Sequence, residues 1–225
     1  MSRSTFLLQL SELRFSYGQA PLFENLSWNL ASGQMYSLLG SSGSGKSTLL
    51  RIMAGALLPE AGQMRWKNDS FYRDHNALLG VHPGVRLMSQ TPDLLPMLSL
   101  QENWQRYARH LSARAFKHYC REATQALELK HLLSNKIRDL SGGELQRAWL
   151  GAVLSEKREL VLLDEPFSQL DYPLRRKALE FCKKWIGEST AVLVTHEPGD
   201  ALAFGDSVNL LQQRTLQGPL NPIQV

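Results

Sequence analysis

Residues 40–48 read GSSGSGKST, placed between the apolar run Met35-Tyr36-Ser37-Leu38-Leu39 and the run Leu49-Leu50-Arg51-Ile52-Met53. Glycines at this density let successive backbone N–H groups turn toward one point, and a helix that begins there adds the partial positive charge of its first amides. That arrangement holds an anion. The spacing Gly40-x-x-x-x-Gly45-Lys46-Ser47 satisfies the phosphate-binding loop pattern, with a strand before it and a helix after it. On this reading Gly40, Ser41, Ser42, Gly43, Ser44, Gly45 and Thr48 form a cradle for a nucleoside triphosphate. Lys46 reaches the β- and γ-phosphates, and the Ser47 hydroxyl ligates Mg2+. A plain glycine-serine turn needs neither the lysine nor the hydroxyl.

The complementary half of such a site is a buried strand that ends in acid, and Leu160-Val161-Leu162-Leu163-Asp164-Glu165 supplies one. Four apolar residues bury the strand and deliver Asp164 at its carboxyl end, where open α/β sheets hold their ligands. Asp164 is expected to hold the magnesium, directly or through water. Glu165 follows it and is expected to face the space beyond the γ-phosphate, where a carboxylate can polarise an attacking water. Pro166 stops the strand.

The elements that position these residues follow from periodicity. The segments FLLQLSELRFSYG and LFENLSWNLASGQMYSLLG read as strands, Lys46 to Ala56 as a helix, and GQMRWKN as a returning strand. Between about 94 and 136, Trp104, Tyr107, Leu111, Phe116, Tyr119, Ala123, Leu127 and Leu129 recur at helical steps, which predicts a helical insert. A helix from Gly143, the strand ELVLLDEP, a helix over Pro173 to Ile186, the strand STAVLVTHE and a short tail complete the chain. Strands alternating with helices on both sides of the insert predict a parallel α/β core. We expect one domain over 1–225, with a phosphate-loop core and an N-terminal antiparallel β-subdomain over 1–89 and 140–225, and a helical subdomain over 90–139.

Bulk properties exclude several function classes. The 25 Lys and Arg against 21 Asp and Glu give a net charge of +4, but the cations are spread along the chain, so a solvated face is expected rather than a nucleic-acid surface. Two cysteines, Cys120 and Cys182, without a CxxC pair, point to neither zinc nor a disulfide framework, and the default is a reducing compartment. No apolar run reaches the roughly 18 residues that span a bilayer, and MSRSTFLLQL lacks the pattern of a secretory signal.

One further segment separates this chain from other phosphate-loop enzymes: Leu140-Ser141-Gly142-Gly143-Glu144-Leu145-Gln146-Arg147. It resembles the signature LSGGQ-x-QR of the ATP-binding cassette (ABC) family, with Glu144 in place of the fifth residue. Ser141-x-x-Glu144 is also a capping box for the following helix, and both readings can hold together. The resemblance implies that Ser141, Gly142 and Gly143 of one subunit close over the ATP held by the phosphate loop of another. It further implies that Tyr17, in RFSYG, stacks on adenine; that Gln90, in LMSQTPDLLP, touches the magnesium or the water; that Asp171 closes a Ser168-Gln169-Leu170-Asp171 D-loop; and that His196, ending AVLVTHE, hydrogen-bonds the γ-phosphate. The implied cofactors are ATP and Mg2+, and the implied catalytic set is Glu165, His196, Lys46 and Gln90, with Ser47, Gln90 and Asp164 on the metal. These matches run from Phe15 to His196.

The sequence departs from the family pattern at three places. Glu144 puts a carboxylate near the expected γ-phosphate position unless it faces its own helix's N–H groups. Ser89 stands where an aromatic often precedes the Q-loop glutamine, and Leu150-Gly151-Ala152 replaces Ala-Arg-Ala, removing an arginine. The groups expected on nucleotide and metal are all present, so an active ATPase is expected.

The resemblance implies a homodimer, or a heterodimer with a second ATPase subunit, driving integral membrane permease subunits from the cytoplasmic face of the membrane. The surface around DLLPMLSLQENW would receive a short helix of the permease. DEPFSQLDYPLRR and THEPGDALAFGDSV are similar to importers of ions, polyamines and sugars, which work with a solute-binding protein. An exporter ATPase, or a soluble ABC ATPase of DNA repair or translation, is the alternative; the latter class usually carries coiled-coil, zinc or tandem-cassette insertions, which this sequence lacks. A phosphate-loop kinase or GTPase has no use for the LSGGE segment. Importers of this type often continue into a C-terminal regulatory barrel, and none is expected after GPLNPIQV.

Overall fold

The computed structural model of the chain describes residues 6–72 and 80–220. In chain order its elements are β1 (Phe6–Ser16), β2 (Pro21–Ala31), β3 (Met35–Leu39), α1 (Lys46–Ala54), β4 (Ala61–Trp66), β5 (Asp69–Ser70), β6 (Val85–Met88), α2 (Leu100–Tyr107), α3 (Ala113–Ala126), α4 (Gly142–Ser155), β7 (Leu160–Asp164), α5 (Tyr172–Ile186), β8 (Thr190–Val194), α6 (Pro198–Phe204), β9 (Ser207–Gln212) and β10 (Thr215–Gln217). They fall into two compact units. The first takes the chain up to Leu87, the segment Glu159–Asp164 and the chain from Glu188 onward; the second takes Met88–Arg158 and Glu165–Gly187.

The first unit is built on two sheets. One is antiparallel, in the order β2-β1-β4-β5, and β2 alternates buried and exposed residues from Leu26 to Leu30 as a strand with one wet face should. The other runs β10-β9-β3-β8-β7-β6, and β9, β3, β8 and β7 pair in parallel. Every residue of β7 and β8 is buried, which explains why LVLLD and TAVLV carry no alternation. Helix α1 lays Leu49, Leu50, Ile52 and Met53 into this core and ends at Gly55, a left-handed cap with φ 82° that donates back to Arg51 and Ile52. The segment expected as a tail forms two strands, β9 and β10, and α6 precedes them.

The second unit is helical. Serines open three of its four helices: Ser99 and Glu102 form a capping box on α2, Ser112 caps α3, and Ser141 with Glu144 forms a capping box on α4. Asp171 opens the fourth, its carboxylate accepting from Leu174 N at 3.0 Å, with Pro173 in the first turn of α5. The core of the unit is aromatic. Tyr119 stands edge-on to Trp185 at 4.6 Å and packs with Trp104 and Phe181.

Gly151 owes its identity to this core. A Cβ there would lie 2.3 Å from the Trp104 ring, whose Nε1 donates to the Ala148 carbonyl at 2.8 Å, while the Tyr119 hydroxyl donates to the carbonyl of Gly151 itself. The arginine that the family pattern places at this position therefore has no room, because the Trp104 indole fills it. Cys120 and Cys182 are free, buried thiols, and burial pushes Cys120 up to about 11.

Candidate nucleotide site

The phosphate loop joins β3 to α1 in the first unit. Ser44 N donates to Ser41 O at 3.2 Å to make the turn, and Gly45 adopts φ 99° as the residue before the helix. A side chain there is excluded twice: the backbone is left-handed, and a Cβ would come within 2.7 Å of the Phe23 ring. No side chain caps α1, and no acidic residue lies in its first turn, so its first amides are left for an outside acceptor. Lys46, only 5 % exposed, bridges the loop by donating to Gly40 O at 2.8 Å and Ser41 O at 2.9 Å. The Ser44 hydroxyl is buried and has no hydrogen-bond partner among the described residues. A helix start without a side-chain cap, a clamped lysine and an unsatisfied hydroxyl suit a phosphate chain.

Pairing in the parallel sheet brings the other expected residues of this unit to the same edge. Leu38 of β3 and Asp164 of β7 both pair with Val194 of β8, so Gly40, Asp164 and the residues after Val194 leave the sheet side by side. Asp164 is 6 % exposed at the end of its strand. His196 is exposed two residues past β8, its Nε2 3.7 Å from the Glu197 carboxylate, and Thr195 N donates to Leu38 O at 3.2 Å. Tyr17 is 60 % exposed, with its ring edge on Phe15 and its hydroxyl 3.4 Å from Thr48 Oγ1. An exposed aromatic beside the phosphate loop offers a face for a base to stack on.

The remaining expected residues lie in the second unit. Gln90 is exposed, and Trp149 Nε1 donates to the carbonyl of Ser89 before it at 3.1 Å. At the start of α4, the Glu144 carboxylate accepts from Ser141 N at 2.8 Å and from the Ser141 hydroxyl at 2.7 Å, while Glu144 N donates to Ser141 Oγ at 3.4 Å. Glu144 thus faces its own helix's N–H groups, and the bond from the Ser141 hydroxyl holds its carboxyl below the usual value. The side-chain oxygen of Gln169 lies 3.7 Å and 3.6 Å from where a Cβ would stand on Gly142 and Gly143.

Gln146 makes contacts that the sequence does not assign to it. Gln146 donates to the Glu165 carbonyl at 2.8 Å and to Ser168 Oγ at 3.1 Å, and Ser168 Oγ donates to the same carbonyl at 3.2 Å. The signal for Gln146 was in the signature segment itself, as a polar residue one turn beyond the cap.

The chain is similar to proteins of known family. Residues 23–168 match the family model described as ABC transporter. The molybdate/tungstate import ATP-binding protein WtpC of Pyrococcus horikoshii is 32% identical over 212 residues, covering 91% of this chain and 59% of its own. The glucose import ATP-binding protein GlcV of Saccharolobus solfataricus is 33% identical over 204 residues, covering 88% and 57%. The aliphatic sulfonates import ATP-binding protein SsuB of Granulibacter bethesdensis is 34% identical over 211 residues, covering 92% and 81%. The chain therefore spans less than three fifths of the length of the first two relatives. Among solved structures, a dimeric ATP-binding cassette bound to ADP and Pi superposes with a TM-score of 0.78 at 23% identity, over 95% of this chain and 99% of that one, so the fold is the same. The matched model, the high-coverage relatives and the α/β architecture together place this chain in the ABC transporter family.

Proposed function

We propose that this chain is the ATP-hydrolysing subunit of an ABC importer, a single cassette domain in which residues 90–139 form the helical insert. The observation that carries the reading is the edge of the parallel sheet, where an uncapped glycine helix start, a clamped lysine, a buried aspartate and a histidine emerge from adjacent strands. The buried Ser44 hydroxyl and a helix start with no side-chain cap fit a triphosphate. Ser47 and Asp164 would hold magnesium together with phosphate oxygens of the nucleotide. Magnesium, when bound there, neutralises charge on those oxygens.

In this reading Lys46 and the loop amides of Gly40 to Thr48 bind and orient the phosphates, and Tyr17 stacks on the base. Glu165 accepts a proton from the attacking water, and His196 donates a hydrogen bond to the γ-phosphate. Ser141, Gly142 and Gly143 of a second copy, or of a second ATPase subunit, supply donors from the opposite side, with Asp171 beside them. Pairing and nucleotide occupancy are then linked.

No helix of the described residues is long and apolar enough to cross a membrane. In this reading the solute path belongs to separate permease subunits, with this chain on their cytoplasmic face. Import is favoured by the relatives, named as import proteins for molybdate/tungstate, glucose and aliphatic sulfonates, and a solute-binding protein would complete such a system.

Glu165→Gln tests the reading. Turnover should fall by at least about 10²-fold, as expected for a lost general base, while Mg-ATP still binds and the protein sediments as a dimer with it. Wild-type turnover by this variant, or a monomer at every concentration with Mg-ATP, overturns the proposal.

A further inference from the structure

Glu165 has φ 49°, a left-handed backbone on a residue that carries a side chain, at the turn that leaves β7. Such a conformation persists only where surroundings impose it. Here three donors converge on the Glu165 carbonyl oxygen: Gln146 Nε2 at 2.8 Å, Ser168 Oγ at 3.2 Å and Ser168 N at 3.4 Å. Gln146 Nε2 is the shortest of them, and it also donates to Ser168 Oγ at 3.1 Å, so one amide orders both ends of the turn. The other end of that amide, Oε1, is buried with no hydrogen-bond partner among the described residues. A buried acceptor left unsatisfied is a cost, and such costs gather where geometry matters for function.

We propose that Gln146 is a positioning residue for the Glu165 carboxylate. By gripping the carbonyl it holds the left-handed turn, and the turn fixes the direction in which the side chain leaves the backbone. Gln146 lies on the first turns of α4, the helix opened by Ser141 and Gly142. The helix start that we assign to a partner's phosphate is therefore hydrogen-bonded to the water-activating residue of its own chain, which couples the two sites of a dimer. The inference rests on the role of Glu165 proposed above.

The test is Gln146→Met, which keeps length and bulk and removes both donated bonds. Steady-state kcat should fall about tenfold, while KM and the Mg-ATP Kd stay within about twofold, because the residue acts through the geometry of another. Gln146→His, which keeps an N–H at similar reach, should recover activity. In single-turnover assays on a Glu165→Gln background, Gln146→Met should add no further loss; a residue with a merely structural role would lower that rate again. Ser168→Ala is the second probe, expected to lose less than Gln146→Met and not to add to it. Unchanged kcat in both single variants, or an equal loss on the Glu165→Gln background, overturns the inference. Wild-type turnover by Glu165→Gln would instead sink the role of Glu165 itself.

Discussion

Two helices of this chain begin among serines and glycines, and they treat their first amides in opposite ways. Helix α1 starts at Gly45 with no side-chain cap and no acid in its first turn. Helix α4 starts at Ser141 with a complete capping box, in which the Glu144 carboxylate takes hydrogen bonds from both the amide and the hydroxyl of Ser141. An N-terminus carries about half a positive charge in either case, but only the uncapped one is open to an anion from outside. The α4 start already carries an anion of its own. In the proposed dimer the two grips on a triphosphate are therefore unequal, with a loop built to receive it on one side and a helix cap that must share or release its serine on the other.

The largest expected effect comes from giving each helix start a methyl group. Gly45→Ala must place a Cβ 2.7 Å from the Phe23 ring on a left-handed backbone, and the clash and strain together should cost about 2–3 kcal/mol of stability. The loop has to move, so Mg-ATP affinity should drop by at least about 10²-fold, with each 1.4 kcal/mol of lost binding worth a factor of ten. Gly142→Ala meets only Gln169 Oε1 at 3.7 Å, an ordinary contact, and should leave stability near wild type and lower Mg-ATP affinity far less than Gly45→Ala. Thermal melts and calorimetric titration of the two variants decide the matter; equal behaviour would erase the distinction between the two starts.

A middle-sized effect is expected from Glu144→Gln. Removing the charge leaves an amide that can still cap Ser141 but no longer repels a phosphate at the same helix end. In a Glu165→Gln background, the Mg-ATP-dependent dimer should tighten by about five- to tenfold, or roughly 1 kcal/mol, and the gain should shrink in high salt. Sedimentation at several protein concentrations measures it. An unchanged dimer constant would mean that the cap and the phosphate do not compete.

The two helix starts also differ in how far they were legible from sequence. The phosphate loop was readable because its chemistry is local: glycine spacing, one lysine and one hydroxyl fix it within nine residues. Asp164 was readable because it ends a continuous apolar run, and buried parallel strands deliver residues to one edge, whereas His196 was marked by its resemblance to the family pattern. The helical unit was less readable. A left-handed Glu165 contradicts the residue preference for that region, and its cause, Gln146, lies on another element. Gly151 was visible only as a departure; its reason is Trp104, which meets it through tertiary packing. Helix α6 escaped notice because it has seven residues, although Pro198 at its first turn was a usable start signal. Strands β9 and β10 were hidden in a run with weak alternation, and partners in the sheet rather than local pattern decide their state.

The smallest effect separates the two helix starts by acid. Hydrogen bonds from the Ser141 hydroxyl and amide hold Glu144 below its ordinary value of 4.5, so the folded chain binds its proton less readily than the unfolded one. A carboxylate depressed in this way contributes stability that is complete above pH 4.5 and is lost as pH falls through the lower, folded value. Because the group is solvent-exposed, the contribution is screened, and about 0.5 kcal/mol or less is at stake, near 1–2 °C in Tm for a chain of this size. Wild type should therefore lose more Tm than Glu144→Gln between pH 6 and pH 3, whereas the first turn of α1 has no carboxylate to titrate. Parallel Tm profiles for the two proteins would show that the box is not holding the proton off, and with it would go the reason for expecting Glu144→Gln to free Ser141.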